Sequence, residues 1–148
     1  MGSLIALRNY VRNRWIDKTH ALTSKLKRGQ WYDFDERLLH CMFDGLVDFV
    51  ECEAGMRSLE WQTTLTAGKE WHYLESDPKY NDPIQQALDA KEIISLYKWW
   101  KDIRPQRPDP YDQEELDSMD CVQMEQDQMD EDTKMMVRLV KIRGSMWT

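Results

Sequence analysis

Glu36, His40 and Asp44 stand four residues apart, a spacing that stacks them on one helix face, where two carboxylates and an imidazole can share a divalent cation. Arg37 sits in the middle of this stripe, and Asp48 and Glu51 extend it, so the same pattern also describes a solvated or salt-bridged helix flank. The ferritin-like two-metal bundle requires Glu-x-x-His pairs on two helices, and the sequence contains none. The expectation is a polar flank with no resident metal or other cofactor.

Two further groupings could do chemistry. Asp17 and His20 lie three residues apart, and a turn could bring them towards Asp33 and Asp35 as an acid/base pair; such residues more often cap helices and satisfy one another. Glu114, Glu115 and Asp117, or Asp48, Glu51 and Glu53, carry the oxygen ligands Mg²⁺ prefers, as an all-α nucleotide-processing enzyme would need. No nucleophile elbow, P-loop, HExxH or glycine-rich dinucleotide turn accompanies them. The reading is therefore weighted away from catalysis and towards binding.

Binding is what the charge pattern suggests. Residues 112–132 hold ten acidic side chains and no basic one, whereas residues 1–30 hold seven basic against one acidic and residues 133–148 four basic and no acidic. Packing of the basic ends near the acidic segments would balance these charges within the chain; a basic protein partner would do so from outside. Glu114, Glu115, Asp117, Asp120 and Asp127 are the residues expected to meet such a partner, with Met119, Met124, Met129, Met135 and Met136 offering adaptable apolar surface or filling the core. A net charge of −7 argues against a nucleic-acid binder.

The elements that must position these groups read as helices. Leu4, Ile5, Leu7, Val11, Trp15, Ile16 and Leu22 predict a first helix from Leu4 to about Lys27, capped by Ser3 and stopped at Gly29. Leu39, Met42, Phe43, Leu46, Phe49 and Val50 predict a second, capped by Asp33 or Asp35 and continuing towards Leu59, with a kink or close contact expected at Gly45 or Gly55. Residues 66–82 read as a loop pinned by aromatics such as Trp71 and Tyr73. Asp82 followed by Pro83 predicts the start of a third helix running to about Ile103. Three prolines between Arg104 and Pro110 favour an extended crossing. From Tyr111 to Arg143 there is neither Pro nor Gly, and Leu116, Met119, Val122, Gln126, Met129, Thr133, Met136 and Val140 make an imperfect seam, compatible with one long helix or with two broken near residues 123–128. Together these predict an all-α fold, a small bundle of about four main helices in a single domain covering residues 1–148.

Several strings carry a resemblance. Trp31-Tyr32-Asp33-Phe34-Asp35-Glu36-Arg37-Leu38-Leu39-His40, Asp48-Phe49-Val50-Glu51-Cys52-Glu53, Trp99-Trp100, Arg107-Pro108-Asp109-Pro110-Tyr111, and Glu131-Asp132-Thr133-Lys134 through Trp147-Thr148 resemble an uncharacterised family of tailed-bacteriophage proteins. That family often carries a longer insertion after Asp-Pro-Tyr, which is shortened here. The resemblance implies a phage origin and, since the family has no assigned activity, transfers no catalytic residue.

With 148 residues, 41% apolar content and seven tryptophans, the chain is able to bury one core. It lacks an apolar run long enough for a membrane span and the pattern of a signal peptide, and Cys41, Cys52 and Cys121 form no CxxC pair, so reduced thiols and a cytoplasmic location in the infected host are expected, a virion location being the alternative. The functional expectation is a non-enzymatic phage accessory protein that binds host machinery or a phage assembly. A metal-dependent nucleotide enzyme and a structural virion component are the alternatives.

Overall fold

The computed structural model describes residues 7–8, 10–11, 24–27, 29–71, 74–111 and 118–146. Helix α1, Phe34–Asp48, begins after Asp33, and Asp35 and Glu36 in its first turn complement the helix dipole. Its regular apolar stripe is the reason it organises the fold: Leu39, Phe43, Leu46 and Val47 are all buried. The chain then widens into a π-helical turn, Phe49–Ala54, in which Phe49 and Val50 are both buried.

The second helix of the sequence reading is not continuous. Gly55 takes φ +76°, a conformation that L side chains rarely adopt, and breaks it before α2, Met56–Gln62. Gly45, the other candidate for a kink, lies within the regular part of α1.

Residues 66–82 also depart from the expected plain loop. They include a short helix α3, Ala67–Trp71, and they are closed by backbone bonds from Ala67 N–H to Asp82 O (2.9 Å) and from Gly68 N–H to Tyr80 O (2.9 Å). Among the described residues Tyr80 pins the segment, its ring covering Gly68 so closely that any Cβ there would collide with it; Tyr73 and the side chain of Trp71 lie outside what is described. Because Asp82 and Pro83 are engaged in this closure, Pro83 bridging to Thr66, the next helix starts two residues later than expected, with Ile84 at its cap.

Helix α4, Gln85–Lys98, runs into a second π-helical turn, Trp99–Ile103, marked by the Arg104 N–H donating to Trp99 O. As at Phe49 and Val50, two consecutive bulky residues are buried in the turn, here Trp99 and Trp100. Phe43 stacks on the Trp100 ring (centroids 4.9 Å apart, planes 19°) and tilts against Trp99 (5.0 Å). The proline-rich crossing opens with a 3₁₀ turn, Arg104–Gln106, and becomes extended from Arg107.

Helix α5, Ser118–Ile142, is a single unbroken helix. It closes the core with Leu139 and Ile142 against α1 and α4, giving a small all-α bundle with no strand among the described residues. Of the first helix of the sequence reading, Leu7, Arg8, Tyr10 and Val11 are helical and exposed, whereas Ser24–Lys27 are not helical; Asp17, His20 and the rest of it lie outside the described residues. Among the described residues no helix is long and apolar enough to cross a membrane.

Candidate functional site

The proline-rich crossing lies across α5 as a strap, fastened by its two arginines. Arg107 donates to Glu131 (2.6 Å) and Asp132 (2.7 Å), and Arg104 donates to Asp132 through Nε (3.3 Å) and a terminal nitrogen (3.1 Å). The Trp99 indole N–H donates to the other oxygen of Glu131 (2.9 Å). Both guanidinium groups also lie over indole faces, Arg104 over Trp100 at 4.9 Å and Arg107 over Trp99 at 5.2 Å. The strap is thus coupled to the aromatic core as well as to the acidic helix.

Between the strap, the start of α1 and the outer side of α5 runs a groove of about 850 Å³. Its carboxylates are Asp33 just before α1, Asp35 and Glu36 from α1, Asp109 from the strap, and Glu125 and Asp132 from α5; its cations are Arg104 and Arg107. Asp132 is neutralised by the arginines, and Glu125 accepts from the Tyr111 hydroxyl (2.8 Å), which raises the tyrosine pKa above its ordinary 10.0. Asp33, Asp35 and Glu36 make no side-chain ion pair among the described residues. Exposed Phe34, Tyr111 and Met129 add apolar surface at the same place.

The sequence-predicted stripe does not converge. Glu36 faces the groove, while Asp44 is buried and accepts the Lys25 backbone N–H (2.6 Å). His40 lies with its ring edge-on to Trp100 at 4.9 Å, its Nδ1 3.7 Å from Asp44 and without a hydrogen bond. Asp48 pairs with Lys25 (3.5 Å), and Glu51 accepts from Lys101 (3.0 Å) and Tyr97 (2.9 Å), contacts that lower its pKa, so these two carboxylates already have partners and Glu53 lies apart from them at a second cavity of about 540 Å³. Among the described residues no group of three or more His, Cys, Asp or Glu side chains is placed to hold a metal ion.

For the acidic run, Glu114, Glu115 and Asp117 lie outside the described residues. Asp120 and Asp127 are both exposed on α5, and Asp127 accepts from Gln123 one turn earlier (2.8 Å). The cations that meet the end of the run among the described residues come from the strap, a source the charge totals did not suggest; most of the basic N-terminal segment lies outside the described residues. Lys25 serves α1 instead, and Arg138 near the C-terminus pairs with Glu92 of α4 (2.6 Å). Sequence reading missed Arg104, Arg107 and Trp99 as the fastening; the signal available for them was two arginines three residues apart beside a Trp-Trp pair.

Comparison with protein-family models, curated proteins and solved structures finds no match to this chain.

Proposed function

We propose that the protein is a non-enzymatic bacteriophage accessory protein that binds a basic segment of a host or phage protein in the infected cell. The observation carrying this reading is the charge imbalance of the strap groove: its two arginines are bonded to Glu131 and Asp132, which leaves Asp33, Asp35 and Glu36 without a cation among the described residues. Like charges held together in this way are stabilised by an opposing surface of positive charge, and the exposed rings beside them give that surface something apolar to cover. The phage origin rests on the sequence resemblance. The test is affinity purification from infected cells with mass spectrometry, comparing the wild type with an Asp33→Lys/Asp35→Lys/Glu36→Lys variant. These positions are exposed, and although three lysines forfeit the favourable charge at the start of α1, a variant shown by circular dichroism to remain folded should lose the partner; an identical partner set at equal yield would refute the reading.

A further inference from the structure

The second cavity lies where the π-helical turn Phe49–Ala54, α2 and α4 meet the 3₁₀ turn Arg143–Ser145. Gly55 breaks the helix between the first two, so each supplies its own part of the wall. The apolar lining, Phe49, Leu59, Ala90 and Ile93, belongs to the buried core of the protein. Around it stand Glu53, Ser58, Gln62, Gln86 and Asp89, and among the described residues no lysine, arginine or histidine lines the space. A volume of about 540 Å³ with an apolar base and a few polar groups at its edge has the make-up of a small-molecule site.

The two carboxylates meet no cation there. Asp89 accepts from the Gln85 amide at one oxygen (2.7 Å) and from the Ser145 hydroxyl at the other, neutral donors that fix the group without offsetting its charge. Among the described residues Glu53 accepts no hydrogen bond and neither carboxylate has an ion pair. Acids close to them in sequence differ: Glu51 is paired with Lys101, and Glu92 with Arg138. We propose that this cavity binds an aliphatic ammonium ion, with the hydrocarbon chain on the apolar lining and the charged end at Glu53 and Asp89. The inference is independent of the protein-binding reading above. An anion would meet two negative charges and no positive one. A metal ion finds no group of three His, Cys, Asp or Glu side chains among the described residues, and a hydrated ion makes no use of Leu59 and Ile93. A wholly apolar molecule would strip water from the carboxylates without replacing its hydrogen bonds. A primary ammonium has three donors, enough for the carboxylates and the amide oxygen of Gln62 or Gln86, while its alkyl chain leaves water for the core side chains. A free amine and the lysine side chain of a polypeptide share this chemistry.

The experiment follows backbone amide NMR shifts of the full chain during titration with cadaverine, pentanediol and glutarate, which share a five-carbon chain and differ in charge. Cadaverine should move the amides of Glu53, Ser58, Gln62 and Asp89 and saturate, with the other two at least about tenfold weaker. Glu53→Gln changes an exposed group, keeps its shape and should weaken cadaverine at least about tenfold. Glu60→Gln, at an exposed acid of α2 outside the cavity, should leave the affinity unchanged. Ala54→Leu narrows the cavity without altering charge, and a sample that circular dichroism shows to be folded should also bind more weakly. Nα-acetyl-lysine amide separates the two sources: shifts at the same residues support a lysine side chain as occupant, and none beside a positive cadaverine result supports a free amine. Equal affinity for pentanediol or glutarate would overturn the inference. So would an absence of cadaverine shifts at the cavity, with or without shifts at Asp33, Asp35 and Glu36. Equal losses in the Glu53→Gln and Glu60→Gln variants would reduce the effect to general attraction by an acidic protein and overturn it as well.

Discussion

Asp127 and Asp130 lie within five residues of Glu131 and Asp132 in one acidic run, yet the two pairs have opposite surroundings. Glu131 and Asp132 are half-buried under the strap and bonded to Arg104, Arg107 and Trp99. Asp127 and Asp130 are exposed and, among the described residues, accept from Gln123 and Gln126, one turn earlier on their own helix. Charge density along the sequence is the same for both; angle around the helix axis separates them. One pair holds the tertiary structure together, and the other retains its charge for solvent or a partner.

The size of the core sets the scale for testing that contrast. Leu46 is fully buried at the centre of α1, and Leu46→Ala should cost on the order of 2–5 kcal/mol in denaturant unfolding. Next in size, Asp132→Ala leaves the partly buried Arg104 without its carboxylate and takes one of the two that hold Arg107, and it should cost about 2–3 kcal/mol. A loss of under about 0.5 kcal/mol there would erase the distinction between the two acidic pairs.

A smaller effect is expected at Glu92, where the hydrogen bonds from Arg138 hold the carboxyl below its ordinary value of 4.5. A carboxyl acidified by folding stabilises the native state when ionised, so its contribution is present above about pH 4.5 and lost as pH falls through the lowered value. The stability gap between wild type and Glu92→Gln should therefore be steady near neutrality and close in acid. A gap independent of pH down to about 3 would remove the assignment. Smallest of all, Asp127→Asn with Asp130→Asn should change stability by no more than about 0.5 kcal/mol. A change above about 1 kcal/mol would mean that the exposed pair is structural too.

The α1 stripe was legible because Leu39, Phe43, Leu46 and Val50 repeat with helical period and burial follows period. The all-α class was legible for the same reason, whereas the imperfect seam of the last segment left one helix or two open, and the structure shows one, Ser118–Ile142. The position of the α4 start was not, since Asp82 and Pro83 have the chemistry of a helix start but are recruited by a distant segment around Gly68. Glu36, His40 and Asp44 share a helix face, but spacing cannot tell which of them the core will cover; Asp44 is buried and Glu36 is not. In α5 the seam read from the sequence leaves Met119, Val122, Met129 and Val140 exposed while Cys121, Leu139 and Ile142 are buried, a choice that tertiary packing makes and spacing does not. Arg104 and Arg107 stand in a proline-rich stretch with no periodicity, and their partners lie more than twenty residues away.

The π-helical turn at Trp99–Ile103 makes the aim of the two arginines a matter of counting. An α-helix rotates by about 100° per residue, so a chain one residue shorter here would leave α4 intact and arrive at Arg104 roughly a quarter-turn out of phase. The guanidinium groups would then swing away from Asp132 and off the indole faces. Side chains at exposed Asp102 can vary in kind while the number of residues cannot, so this short stretch behaves like a reading frame in three dimensions.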